Sequence, residues 1–244
     1  MDQTSPVQAF IDFDGTITTS DSVSILIERF AEEGWQVDEG LWDLGQISSK
    51  EYYARQFKRL KISKAELEAF LQGVPIDSWF GPFVAFAKRY GFPLAVVSDG
   101  FTPFIETILA NHGIGGLPIF ANGLSIRENP KTGLLTLLPK PKLTKLQACK
   151  VQAALCKCDV VEPLAAMAQT SVYIGNGRSD FCVSQHVGGL ILFAKDELAS
   201  NLEAKSVRFF PFQSFRDIME VISGLMVQAA GNIYQTIEEH EKRA

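Results

Sequence analysis

The sequence predicts an α/β fold, a doubly wound parallel sheet that carries an inserted helical domain. Three observations predict it. Apolar stretches of strand length alternate with stretches of helical period through most of the 244 residues. Three of the strand-like stretches end in polar residues, at Asp12 and Asp14, at Ser98-Asp99-Gly100, and at Asn176 to Asp180. Open parallel sheets bind ligands at that end of their strands. Finally, a long stretch with helical patterning alone separates the first two strands, which reads as an insertion.

The first strand is Val7 to Ile11, apolar but for Gln8. Side chains alternate along a strand, so Asp12 and Asp14 share one face and Phe13 points to the other. Two acids at one strand end repel each other unless a cation or a shared proton compensates. The oxygen donors suit a hard divalent metal such as Mg2+. Helical patterns follow: Val23, Leu26, Ile27, Phe30 and Ala31 recur at helical spacing. Ser48-x-x-Glu51 and Ser63-x-x-Glu66 read as capping boxes, with Gly73 as a helix stop. These elements divide the chain into a core, residues 1–19 and 81–244, and a helical insert, residues 20–80.

From Pro82 a helix runs to Tyr90 and stops at Gly91. Leu94–Val97 is a strand, and Thr102 with Pro103 opens a helix that ends at Gly113. Pro118–Ile126 and Leu134–Leu138 flank a turn with Pro130 and Gly133, the pattern of an antiparallel extension. Thr144 caps a helix expected to run to about Leu155. Ser171–Ile174 and Leu190–Phe193 are strands, each followed by a helix, the second at Asp196–Glu203. From Ser214 the tail is helical, with Ile218, Val221, Ile222 and Leu225 on one face.

Bulk properties narrow the function classes. A net charge of −5 argues against a nucleic-acid binder that relies on a broad basic surface. No apolar run approaches the ~18 residues of a membrane span, and the N-terminus lacks a signal-peptide pattern, so a cytoplasmic protein is expected. Cys149, Cys156, Cys158 and Cys182 suit a reducing compartment, and Cys-x-Cys at 156–158 has no second ligand pair at zinc spacing. Ser98, with backbone N–H groups at a strand-to-helix junction, could cradle phosphate oxygens. In the insert, Arg55, Lys58 and Arg59 could meet an anion, and Trp35, Trp42, Tyr52 and Tyr53 could line an apolar pocket. A solvated helix face and aromatic packing are the simpler readings of these residues, and His112, His186 and His240 read as structural or tail residues.

Asp-Phe-Asp-Gly-Thr at 12–16, followed by Ile-Thr, resembles the first motif of the haloacid dehalogenase superfamily, whose members are mostly magnesium-dependent phosphohydrolases. Ser98-Asp99-Gly100 resembles its second motif. The family places a phosphate-binding lysine at a helix start before the last motif, and Lys140, Lys142, Lys145 and Lys150 compete for it. Ala-Cys-Lys-Val resembles the family's Cys-Lys segment, which selects Lys150 with Lys145 second. Tyr173-Ile-Gly-Asn-Gly-Arg-Ser-Asp180 resembles Gly-Asp-x-x-x-Asp, with Asn176 in place of the first acid. The insert resembles that of the phosphoserine-phosphatase-like branch. Ser-Asp-Gly-Phe, the Cys-Lys segment and Phe-Ala-Lys-Asp-Glu-Leu-Ala resemble the methylthio-ketopentenyl-phosphate phosphatases of methionine salvage and their relatives.

The resemblance implies a phosphatase of a small phosphorylated metabolite. Asp12 is the nucleophile and Asp14 the proton carrier; Ser98, Asp99, Gly100 and Lys150 hold phosphate. Magnesium is held by Asp12, the Asp14 backbone oxygen and Asn176, with Asp180 behind them. An acid two residues after the nucleophile favours phosphoryl transfer over dehalogenation, because a halide leaves without a proton. The rivals are a phosphotransferase, or a non-catalytic phosphometabolite binder weakened in metal binding by the neutral Asn176. No nucleic-acid or membrane partner is expected, and the substrate and oligomeric state are left open.

Overall fold

Strand β1 (Val7–Ile11) lies at the middle of the sheet because its residues are apolar on both faces. Ala9 and Ile11 enter one buried cluster and Phe10 the other. The computed structural model describes residues 7–140 and 153–226. Its other strands are β2 (Leu94–Phe101), β3 (Ile119–Glu128), β4 (Leu135–Lys140), β5 (Thr170–Gly175), β6 (Leu190–Ala194) and β7 (Phe210–Pro211). They form one sheet of seven strands in the order β4-β3-β2-β1-β5-β6-β7. All neighbours are parallel except β3 and β4, the antiparallel extension expected from the turn between them. The chain moves from β1 to β2 on one side and returns to β5 on the other. The carboxyl ends of β1 and β5 therefore flank a topological switch point.

Between β1 and β2 lie α1 (Ser22–Phe30), α2 (Trp35–Asp43), α3 (Ser49–Arg59), α4 (Lys64–Gly73) and α5 (Phe80–Tyr90). Asp21 caps α1 by accepting from the Ser24 N–H at 2.7 Å. At α4 the Ser63–Glu66 capping box is reciprocal. At α3 it is half made: Ser48 accepts from the Glu51 N–H, while the Glu51 carboxylate pairs with Arg55. The incoming and outgoing chains of this helical stretch bond to each other. Thr18 bridges Ile76 in antiparallel sense, and the Asp77 N–H donates to the Ile17 carbonyl at 2.8 Å. Opposite them, the Leu135 N–H donates to the Ile62 carbonyl at 2.7 Å, so the β3–β4 hairpin also braces the insert.

After β2 come α6 (Thr102–Asn111), α7 (Lys157–Ala165), α8 (Phe181–His186) and α9 (Asp196–Ala204), and residues 215–226 are helical. Two elements differ from expectation. Strand β2 runs on through Ser98-Asp99-Gly100 to Phe101, but its register against β3 shifts between Val97 and Phe101. The three polar residues sit across that irregularity. The helix expected from Thr144 falls largely outside the described residues, and Leu155 itself is a bend. The helix that precedes β5 is α7, which contains Pro163.

Candidate active site

Strand β1 delivers Asp12, whose N–H donates to the Ile174 carbonyl of β5 at 2.9 Å. Its side chain is buried, with Oδ1 accepting from Lys157 Nζ at 2.6 Å. Past Phe13 the chain turns at Gly15, where φ is +72° and an added Cβ would lie 2.4 Å from Asn176 Nδ2. Only glycine meets both conditions. That turn brings Asp14 beside β2: a Cβ on Gly100 would lie 2.8 Å from Asp14 Oδ2 and 3.1 Å from Ser98 Oγ. The Asp14 Oδ1 accepts from the Ser22 N–H at 2.9 Å and from the Ser22 hydroxyl.

Lys157, the first residue of α7, is wholly enclosed and forms a second short bond, 2.6 Å, to Asp180 Oδ1. Tyr173 donates its hydroxyl to the same oxygen. The other Asp180 oxygen accepts from the N–H groups of Asn176 and Gly177, both at 3.0 Å. Asp180 is thus saturated by the chain. It anchors the β5 loop and holds Lys157 against Asp12. The Asn176 Oδ1 accepts from the Thr16 hydroxyl at 2.8 Å, which joins the first and last motifs directly.

Electrostatics follow from this crowding. Burial and the Asp180 charge push the Asp12 carboxyl well above the usual carboxylate range, against the pull of Lys157. Burial, then Asp21, lifts Asp14 to about 7, although the Ser22 hydrogen bonds oppose the rise. Burial alone would lower the Lys157 ammonium, but Asp12 and Asp180 overcome it and hold it above the ordinary lysine value. Three acids therefore face one ammonium. Among the described residues no three His, Cys, Asp or Glu side chains are gathered as a metal cage. Asp12, Asp14 and Asn176, which line one cavity, offer hard oxygen donors. Together with the excess of negative charge they fit Mg2+.

Asp12, Asp14, Ser98, Asp99, Gly100 and Asn176 line one cavity of about 480 Å³, while Asp180 lies behind it. Ser98 Oγ accepts from the Gly100 N–H at 3.0 Å, leaving its proton available to a ligand. Asp99, expected at the phosphate, lines the same cavity. Its carboxylate accepts from the Leu155 N–H at 2.7 Å and from Asn122 at 3.3 Å, and burial raises it to about 6. It ties β2 to β3 and to the segment before α7. Lys142, Lys145 and Lys150 lie outside the described residues, and Lys140 is exposed at the end of β4. Among the described residues, the lysine bonded to Asp12 is Lys157. Cys156-Lys157 is also a Cys-Lys pair and directly opens a helix ahead of β5, so the signal was present in the sequence.

From the insert, Trp42 and Tyr53 line the cavity, and Trp35 and Tyr52 pack in the core beside it. Arg55 and Arg59 do not reach the cavity; both pair with the buried Asp38 of α2, at 3.0 and 3.2 Å. The ring of His112 bonds the Val74 carbonyl just after α4, and that of His186 bonds the Cys182 carbonyl one turn back in α8. His240 lies outside the described residues. Arg178 and Lys195 are the basic groups of the cavity wall, and Tyr173, Ser22 and Arg178 acquire their site contacts only through the fold.

A model of the family described as Putative Phosphatase matches residues 7–190. The chain is 28% identical over 224 residues to a 2-hydroxy-3-keto-5-methylthiopentenyl-1-phosphate phosphatase of Exiguobacterium sp., covering 88% of this chain and 97% of that one. A protein of the same description from Geobacillus kaustophilus is 27% identical over 226 residues, covering 92% and 99%. Among solved structures, a phospho-aspartyl intermediate analogue of phosphoserine phosphatase superposes with a TM-score of 0.63 at 20% identity, covering 90% of this chain and 99% of that one. A HAD family hydrolase of Salmonella enterica serovar Typhi gives 0.62 at 18%, covering 86% and 68%. The fold is theirs.

Proposed function

The chain belongs to the Putative Phosphatase family, and from that premise we propose that it hydrolyses a small phosphorylated metabolite through an aspartyl-phosphate on Asp12. The observation that carries this reading is the pairing of Asp12 and Asp14 on one cavity at the switch point, with Lys157 bonded to the first and Ser22 to the second. Lys157 opposes the upward push of burial on the Asp12 carboxyl and bonds its Oδ1, which leaves the other carboxylate oxygen to act as the nucleophile. That oxygen forms a bond to phosphorus as the bond from phosphorus to the ester oxygen breaks. Asp14, lifted to about 7, carries a proton at neutral pH and gives it to the leaving oxygen.

In the second half, ionised Asp14 takes a proton from a water whose oxygen attacks phosphorus. The acyl-phosphate bond breaks, inorganic phosphate leaves and Asp12 is restored. Ser98 and the N–H groups around it orient the phosphoryl oxygens. Magnesium, held by the Asp12 carboxylate, the Asp14 carbonyl and Asn176 Oδ1, would supply neutralisation of the charge on those oxygens. The helical insert at residues 20–80 acts as a cap, with Trp42 and Tyr53 closing the compartment for the leaving group. A volume of about 480 Å³ suits a small metabolite rather than a polymer.

The test is release of inorganic phosphate from p-nitrophenyl phosphate in magnesium, then from a panel of phosphorylated metabolites. Turnover is expected, and Asp12→Asn should reduce it at least ~10³-fold, the scale of losing a nucleophile. Tight phosphate binding without turnover of any ester would overturn the reading.

A further inference from the structure

The loop that carries Asn176 and Asp180 also carries Arg178, and its side chain leaves the core. The Arg178 Nη1 donates to the Asp43 carbonyl at 3.0 Å. Asp43 is the last residue of α2, where backbone carbonyls lack helical partners and the helix dipole is negative. The same guanidinium lies 5.8 Å from the centre of the Trp42 ring, within reach of a cation–π contact. Trp42 is already fixed on its other sides. It stacks on Tyr52 with ring centres 5.0 Å apart, and its Nε1–H donates to Ser49 Oγ at 3.1 Å. Trp42 and Arg178 both line the cavity.

We propose that Arg178 is a positioning residue that latches α2 onto the β5 loop and holds Trp42 as the wall of the leaving-group compartment, so that it sets how tightly that group is enclosed. The inference rests on the phosphatase reading for its substrate half and on geometry alone for the latch. A guanidinium suits the task because one planar group can cap a carbonyl and face an aromatic ring at once; an ammonium cannot do both equally well. The phosphoryl group itself is held elsewhere, by Ser98 and the Asp12–Lys157 pair. Loosening the latch should therefore weaken esters more than free phosphate.

Full-length wild type, Arg178→Ala and Arg178→Lys are compared in two measurements. In hydrogen exchange, amides near the C-terminal end of α2 should exchange roughly tenfold faster in Arg178→Ala, since one capping contact of about 1.4 kcal/mol corresponds to a factor of ten. In steady-state kinetics, KM for p-nitrophenyl phosphate should rise about tenfold. Competitive inhibition by inorganic phosphate, which has no leaving group, should weaken no more than about twofold, and Arg178→Lys should fall between in KM. Unchanged exchange, unchanged KM, or equal weakening of ester and phosphate would each overturn the proposal. If the wild type hydrolyses no ester, the phosphatase reading fails, and the exchange comparison still decides the latch. If Arg178→Ala does not fold, Arg178→Lys against wild type decides both parts.

Discussion

Lys157 sits between two buried carboxylates with 2.6 Å contacts on either side. Breaking such a pair by deleting one partner costs about 3–5 kcal/mol, because the remaining charges stay buried. Lys157→Met should therefore lower the urea midpoint sharply and abolish turnover. The stability loss should shrink as pH falls, since the Asp12 carboxyl, which burial holds well above the usual range, takes up a proton and no longer leaves an unpaired charge. Equal loss at pH 5 and pH 8 would contradict this account. Asn176 invites the opposite experiment. Asn176→Asp adds a fourth acid to the site, so without metal the variant should melt at a lower temperature than wild type. With magnesium the order should reverse, and the half-activating concentration should fall by about tenfold, or about 1.4 kcal/mol. A magnesium titration of melting temperature and turnover checks both signs. At this scale the sequence was informative where chemistry sits beside a strand, as at Asp12 and Asp14. It was ambiguous for the lysine, because two Cys-Lys pairs precede β5; the second supplies Lys157, which bonds Asp12, and the first lies outside the described residues.

Elements are joined at the site by Asp99, whose carboxylate reaches from β2 to Asn122 of β3 and to the Leu155 N–H ahead of α7. Burial raises this acid from 3.8 to about 6, so the folded protein holds a proton there that the unfolded chain has released. For an acid with a raised folded value, the stability that the proton confers is complete below about pH 4 and is lost as pH rises through about 6. Asp99→Asn keeps an acceptor for Leu155 but cannot ionise. Relative to wild type it should gain stability between about pH 4 and 6 and hold that gain above, on the order of 3 kcal/mol at ~1.4 kcal/mol per pKa unit. Urea denaturation at pH 4, 5, 6 and 7 measures the difference, and a gap independent of pH would refute the assignment. Several elements were legible from period and caps: β1, α4 and the β3–β4 hairpin all follow local rules. Helix α7 was not, because Pro163 interrupts its pattern and the Thr144 cap drew the expected helix upstream.

For the whole molecule, the alternation of strands and helices was enough to predict the parallel sheet, since few other packings bury such strands on both faces. What the pattern could not give was the meeting of distant parts. Thr16 bonds Asn176 and Arg178 bonds Asp43, each between segments that the sequence shows only in order. Among the described residues no helix is long and apolar enough to cross a membrane. The incoming and outgoing chains of the insert leave the sheet side by side, paired at Thr18 and Ile76. A segment whose two ends meet in this way can be lengthened, shortened or replaced without moving the strands that carry Asp12 and Asn176. A replacement must still supply what Ser22 and Asp21 give Asp14, so the roof is exchangeable only where it does not touch the floor.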